Sequence, residues 1–160
     1  MQKWALASVA AALLIIVVGY LAYGRRAEPC DNIVTATLPD LPDKLYNFNG
    51  YGEGIIGKEK VQEVDAHAKK VTELLKSCCQ QFHKGAMTAE QQQACVTGAK
   101  NFVAKINEIA TLFEDADNAG QEGNLNEMDA KVAQAQQLSG ATAVMVDELS
   151  KLAEPASPKK

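Results

Sequence analysis

Two apolar stripes that match each other turn for turn constrain this chain more than any other feature. From Lys58 onward, Val61, Val64, Ala68, Val71, Leu75, Cys78 and Phe82 recur at alternating spacings of three and four residues. That is the seam of an amphipathic helix. Lys84 and Gly85 supply a basic last turn and a C-cap, and Thr88-Ala-Glu-Gln91 is a capping box that opens a second helix. Its seam runs through Cys95, Ala99, Phe102, Ile106, Ile109, Phe113 and Ala116. Folding the two helices back about Ala86–Met87 sets Leu75 opposite Ala99, Val71 opposite Phe102, and Val61 opposite Phe113. The same fold-back puts Cys78 and Cys95 in one layer, within disulfide reach.

A third helix follows. The stretch Asn118 to Gly123 is expected to break the second one, and Asn124-Leu-Asn-Glu127 caps the next. Its seam is Met128, Val132, Ala135, Ser139, Thr142, Val146 and Leu149, and Pro155 stops it. The pattern predicts an all-α fold in which residues 58–154 form an antiparallel three-helix bundle, a coiled-coil hairpin with one added helix, about 40–48 Å long.

The remaining cysteines follow from this layer. A Cys78–Cys95 bridge leaves Cys79 and Cys30, and adjacent cysteines seldom bond to each other. Cys30–Cys79 is therefore the expected second bridge; the swapped set, Cys30–Cys78 with Cys79–Cys95, is nearly as reachable. A redox centre of the Cys-x-x-Cys kind sits at a helix start, whereas Cys78-Cys79 lies near a helix end, so structural disulfides are the preferred reading.

Residues 27–57 hold Pro29, Pro39 and Pro42 and glycines at 50, 52, 54 and 57. This punctuation argues for an extended segment, with a short strand at Ile33–Leu38, lying on the bundle rather than swinging free, because its apolar content is too high for a linker. Residues 155–160 read as a disordered tail.

Ahead of all this, Trp4 to Tyr23 is an uncharged run of twenty residues with aromatic residues at both ends. That length suits a transmembrane anchor and exceeds the apolar core of most cleaved signal peptides, so residues 1–26 are expected to tether the chain to a membrane, the alternative being secretion after cleavage. Orientation signals conflict. Arg25 and Arg26 follow the run and favour a cytoplasmic domain, whereas four cysteines in a small domain favour an oxidising periplasm or extracellular space. The cysteines outweigh the arginines because their spacing fits bridges.

Three of the sixteen basic residues and none of the twenty acidic ones precede residue 27, leaving residues 27–160 with a formal charge of −7. Such a domain has no basic face for nucleic acid. No Ser-His-Asp order, phosphate loop, dinucleotide-binding glycine pattern, haem signature or His-Glu-x-x-His is present. Neither a cofactor nor an enzymatic activity is expected. Metal binding is disfavoured: Cys79 with His83, and Glu63 with His67, each share a helix face but lie too far apart to combine. His67 reads as a solvated surface residue and His83 as a helix-end cation. Asp115-Ala-Asp117-Asn-Ala-Gly120 resembles the opening of a calcium loop but lacks the required fifth-position oxygen and final glutamate.

The leading expectation is a non-catalytic, membrane-anchored envelope protein, an accessory subunit or adaptor that meets an unidentified protein partner. Candidate contact residues are Tyr46, Phe48 and Tyr51 in the aromatic stretch, and Glu114, Asp115 and Asp117 at the acidic tip. A ligand-binding sensor or carrier is the alternative, with a cavity above roughly 300 Å³ lined by Phe102, Ile106 and Tyr46. Thiol-disulfide chemistry comes third. Oligomeric state is not legible in the residues.

Overall fold

The computed structural model describes residues 29–154, and within them the protein is a bundle of five helices without a strand. These are α1 (Pro29–Thr37), α2 (Leu41–Ile55), α3 (Lys58–His83), α4 (Ala89–Gln121) and α5 (Leu125–Leu152). None of them is long and apolar enough to cross a membrane. The expected anchor, residues 4–23, and the expected tail, residues 155–160, lie outside the described residues.

The long helices begin and end where local chemistry stops them. At the end of α3, Gly85 takes a left-handed φ of 70°, its N–H meets the Phe82 carbonyl at 3.0 Å, and the Ala86 N–H meets Gln81 at 2.9 Å. This pair of bonds satisfies carbonyls that the helix leaves orphaned. Gly123 does the same for α4 with a φ of 76°, and there the Asn124 N–H reaches the Ala119 carbonyl at 2.9 Å. Asn124 then serves twice, because its side chain also accepts from the Glu127 N–H and caps α5. Thr88 and Gln91 form the full reciprocal capping box at the start of α4. Contrary to expectation, α4 does not break at Asn118 but continues to Gln121, with Ala119 buried one turn beyond Ala116.

The seams are the core. Val61, Val64, Ala68, Val71, Leu75 and Cys78 of α3 are buried, as are Cys95, Ala99, Phe102, Ile106, Ile109 and Phe113 of α4. α4 packs most extensively on α5, and α3 touches both. Ala135, Val146 and Leu149 complete the apolar interior from α5.

The α5 seam also buries two hydroxyls, and both are satisfied. Ser139 Oγ donates to the Ala135 carbonyl at 2.8 Å, and Thr142 Oγ1 donates to the Ser139 carbonyl at 2.7 Å. With its single proton spent, Thr142 accepts from His67 Nδ1 at 2.8 Å, which sets the imidazole proton on Nδ1. His67 is thus half-buried and joins α3 to α5, not a solvated surface residue. Thr142→Val keeps the shape and deletes that acceptor, so it is expected to cost about 1–2 kcal/mol in urea unfolding, with Thr142→Ser close to wild type.

The largest departure from expectation is in residues 29–56, which are helical rather than extended, and Ile33–Leu38 is not a strand. Pro29 opens α1 and Pro42 sits in the first two positions of α2, where a helix needs no N–H, while Pro39 falls between the two. α2 docks through Leu41, Phe48 and Gly52. The Phe48 ring lies 5.1 Å from that of Phe113, tilted by 56°. Gly52 is there because the backbone comes so close: a Cβ would stand 2.9 Å from Val61 Cγ2 and 3.2 Å from Phe113 Cε2. Docking onto this surface offsets the roughly 1 kcal/mol that each interior glycine costs a helix.

Candidate functional site

At one end of the bundle, two disulfides tie three helices into a single layer. Cys30 of α1 is bonded to Cys79 of α3, with Cα atoms 5.6 Å apart, and Cys78 of α3 is bonded to Cys95 of α4, with Cα atoms 6.6 Å apart. The swapped pairing is not the one formed. Cys78, Cys79 and Cys95 are fully buried and Cys30 nearly so. Lys76 of α3 pairs with Asp31 of α1 at 2.8 Å beside the Cys30–Cys79 bridge. That charge is therefore already matched within the protein. The Cys30 and Cys79 sulfurs and a ring nitrogen of His83 lie within 4.8 Å of one another, a three-donor cluster. With the sulfurs bonded to each other neither is a thiolate, the form that binds metal or attacks a disulfide.

The aromatic stretch divides by helical phase. Phe48 is 0 % exposed and belongs to the core, so it is no contact residue, contrary to expectation. Tyr46 is 80 % exposed and Tyr51 43 %. Tyr46 stands on the edge of an open groove of about 430 Å³ between α2 and α3, bounded by Leu41, Leu45, Asn49, Asp65 and Lys69. Asn49 Nδ2 donates to the Asp65 carboxylate at 3.2 Å, while Asn49 Oδ1 is buried with no donor. Phe102 and Ile106 take no part in the groove; both are fully buried, so the cavity they were expected to share with Tyr46 does not form.

At the opposite end the candidate acidic residues stand on the last turns of α4. Asp115 and Asp117 are helical, so the calcium-type loop is not formed. Asp115 pairs with Lys131 of α5 at 2.9 Å, and this hydrogen bond, with the coulombic attraction behind it, raises the Lys131 pKa. Asp117 accepts from Gln121 Nε2 at 2.7 Å, and Glu114 is exposed. Between this tip and the end of α2 lies a second open groove of about 460 Å³, which the residue pattern did not reveal. It exists because α2 is a docked helix, and its wall includes Gly54 and Ile55. The hidden signal was the run Leu41, Leu45, Phe48, Gly52, Ile55, itself a seam with alternating spacings of four and three.

The surface between these ends is ordinary. Glu63, for example, has its pKa lowered mainly by the Lys60 hydrogen bond at 2.6 Å. The arrangement offers two open, partly apolar grooves at separate ends of α2 and one sealed sulfur layer. Comparison with family models, curated proteins and solved structures finds no significant match to this chain.

Proposed function

We propose that this protein is a non-catalytic accessory subunit or adaptor, tethered to a membrane by residues 4–23 and presenting its helical bundle to a partner protein in the periplasm or extracellular space. The observation that carries the reading is Tyr46: a large aromatic side chain held 80 % exposed on a helix that is itself firmly docked, at the lip of a groove of about 430 Å³. Tyrosine provides contact area at small entropic cost and is enriched among residues that dominate binding energy. The long hairpin of α3 and α4 acts as the stiff support, and the two buried disulfides favour an oxidising compartment.

The test is to purify the full chain from its native membrane, identify the chains that accompany it, and titrate the reconstituted partner against variants. Tyr46→Ala is expected to weaken binding tenfold or more, with stability changed by less than about 0.5 kcal/mol because the side chain is exposed. A partner that binds Tyr46→Ala and Tyr51→Ala as tightly as wild type, or the absence of any stoichiometric partner, removes this reading.

A further inference from the structure

The groove at the acidic tip carries a chemistry of its own. Its apolar lining comes from three helices: Ile55 of α2, Ala116 of α4, and Met128 and Val132 of α5. Asp117 and Asp129 add two carboxylates, and no lysine, arginine or histidine lines it. The nearest basic side chain in sequence, Lys131, is engaged by Asp115 on the wall of a neighbouring, more polar pocket. Two further exposed carboxylates, Glu122 and Glu127, flank the α4–α5 turn. An apolar surface bearing two carboxylates and no basic residue in its lining matches a group with the opposite pattern.

We propose that this groove binds a segment of a partner protein in which lysine or arginine alternates with large apolar side chains. The apolar side chains, and the methylene stem of the basic residue, lie against Ile55, Met128 and Val132, and the cationic head meets Asp117 and Asp129. The methionine suits this role because its flexible thioether adapts to the shape of an incoming side chain. Gly120 lets Met128 lie close, since a Cβ there would stand 3.2 Å from the Met128 sulfur. A volume of about 460 Å³ is within the range of sites that hold a ligand of this size. The inference rests on the adaptor reading and names the partner's chemistry at a second surface, distinct from Tyr46.

The probe is a fluorescein-labelled peptide of alternating leucine and lysine, titrated by anisotropy against the full chain in a non-ionic detergent. Two control peptides replace lysine by glutamate or leucine by serine. The lysine–leucine peptide is expected to bind, with each control at least tenfold weaker. Asp117→Asn combined with Asp129→Asn is expected to weaken binding about tenfold. Gly54→Leu is the decisive variant: Gly54 lines the groove and a Cβ there meets nothing within 4 Å, so the larger side chain is expected to occupy the groove's own space. It should weaken the peptide tenfold or more at a melting temperature no lower than that of wild type, since a helical glycine is removed. Unaltered affinity in both Gly54→Leu and the double asparagine variant, or no binding by the lysine–leucine peptide, overturns the proposal. Because this titration involves no native partner, groove-dependent peptide binding upholds the proposal even where the Tyr46 experiment fails. Failure here leaves the Tyr46 reading standing.

Discussion

A chain with all four cysteines replaced by alanine is expected to melt roughly 20 °C below the native protein, and to be largely unfolded at body temperature. The Cys30–Cys79 bridge spans 49 residues and the Cys78–Cys95 bridge spans 17. Chain entropy assigns the first about 4 kcal/mol and the second about 3 kcal/mol. The two closed loops lie end to end, overlapping only at Cys78-Cys79, so each bridge removes the closure entropy of its own loop from the unfolded chain. Their sum of about 7 kcal/mol is comparable with the entire stability of a typical domain. At about 3 °C per kcal/mol, it gives the stated shift. Calorimetry of the two double-alanine variants and the quadruple variant checks it: the quadruple shift is expected to equal the sum of the other two within a few degrees. A quadruple variant that melts within 5 °C of wild type contradicts the role assigned to the sulfur layer.

Phe48→Ala is expected to cost 3–5 kcal/mol, yet to be felt in only part of the molecule. Phe48 is fully buried against Phe113 and is the largest side chain that fastens α2 to the bundle. A helix of fifteen residues with three glycines in its sequence is not stable alone, so undocking α2 also melts it. The contacts of α4 with α5, and of α3 with both, remain, so these three helices are expected to persist. Amide hydrogen exchange is expected to lose protection across 41–55 while Phe102–Ile109 stay protected, and the helical circular dichroism signal is expected to fall by no more than fifteen residues' worth. Equal loss of protection in α4 would mean that α2 is integral to the core.

What could be read from the residues was what period and capping encode. The α3 and α4 seams, the Thr88 and Asn124 caps and the glycine stop at Gly85 are all local signals, and each is where it was expected. The Cys78–Cys95 bridge followed because two such seams, once folded back, align sulfur with sulfur. Residues 29–56 read as extended because proline and glycine break a helix only at some positions, and the letters alone do not say which. Pro29 and Pro42 occupy first turns, and Gly52 occupies a core position where another helix leaves no room for a side chain. Only the neighbouring Val61 and Phe113 make that glycine intelligible, and neighbours in space are not written in a single line of letters. The contact residues divided for a similar reason: Phe48 and Tyr46 are two residues apart, which on a helix means nearly opposite faces. The groove at the tip is illegible in the sequence for the same reason, since α2 forms one of its walls.

The pairing of the sulfurs holds α1 on α3 and α3 on α4. Non-reduced proteolysis followed by electron-transfer fragmentation, which cuts the backbone between Cys78 and Cys79 where no common protease does, reads the pairing directly. It is expected to show Cys30 linked to Cys79 and Cys78 linked to Cys95. Cys30 linked to Cys78 with Cys79 linked to Cys95, or free thiols at these positions, contradicts it.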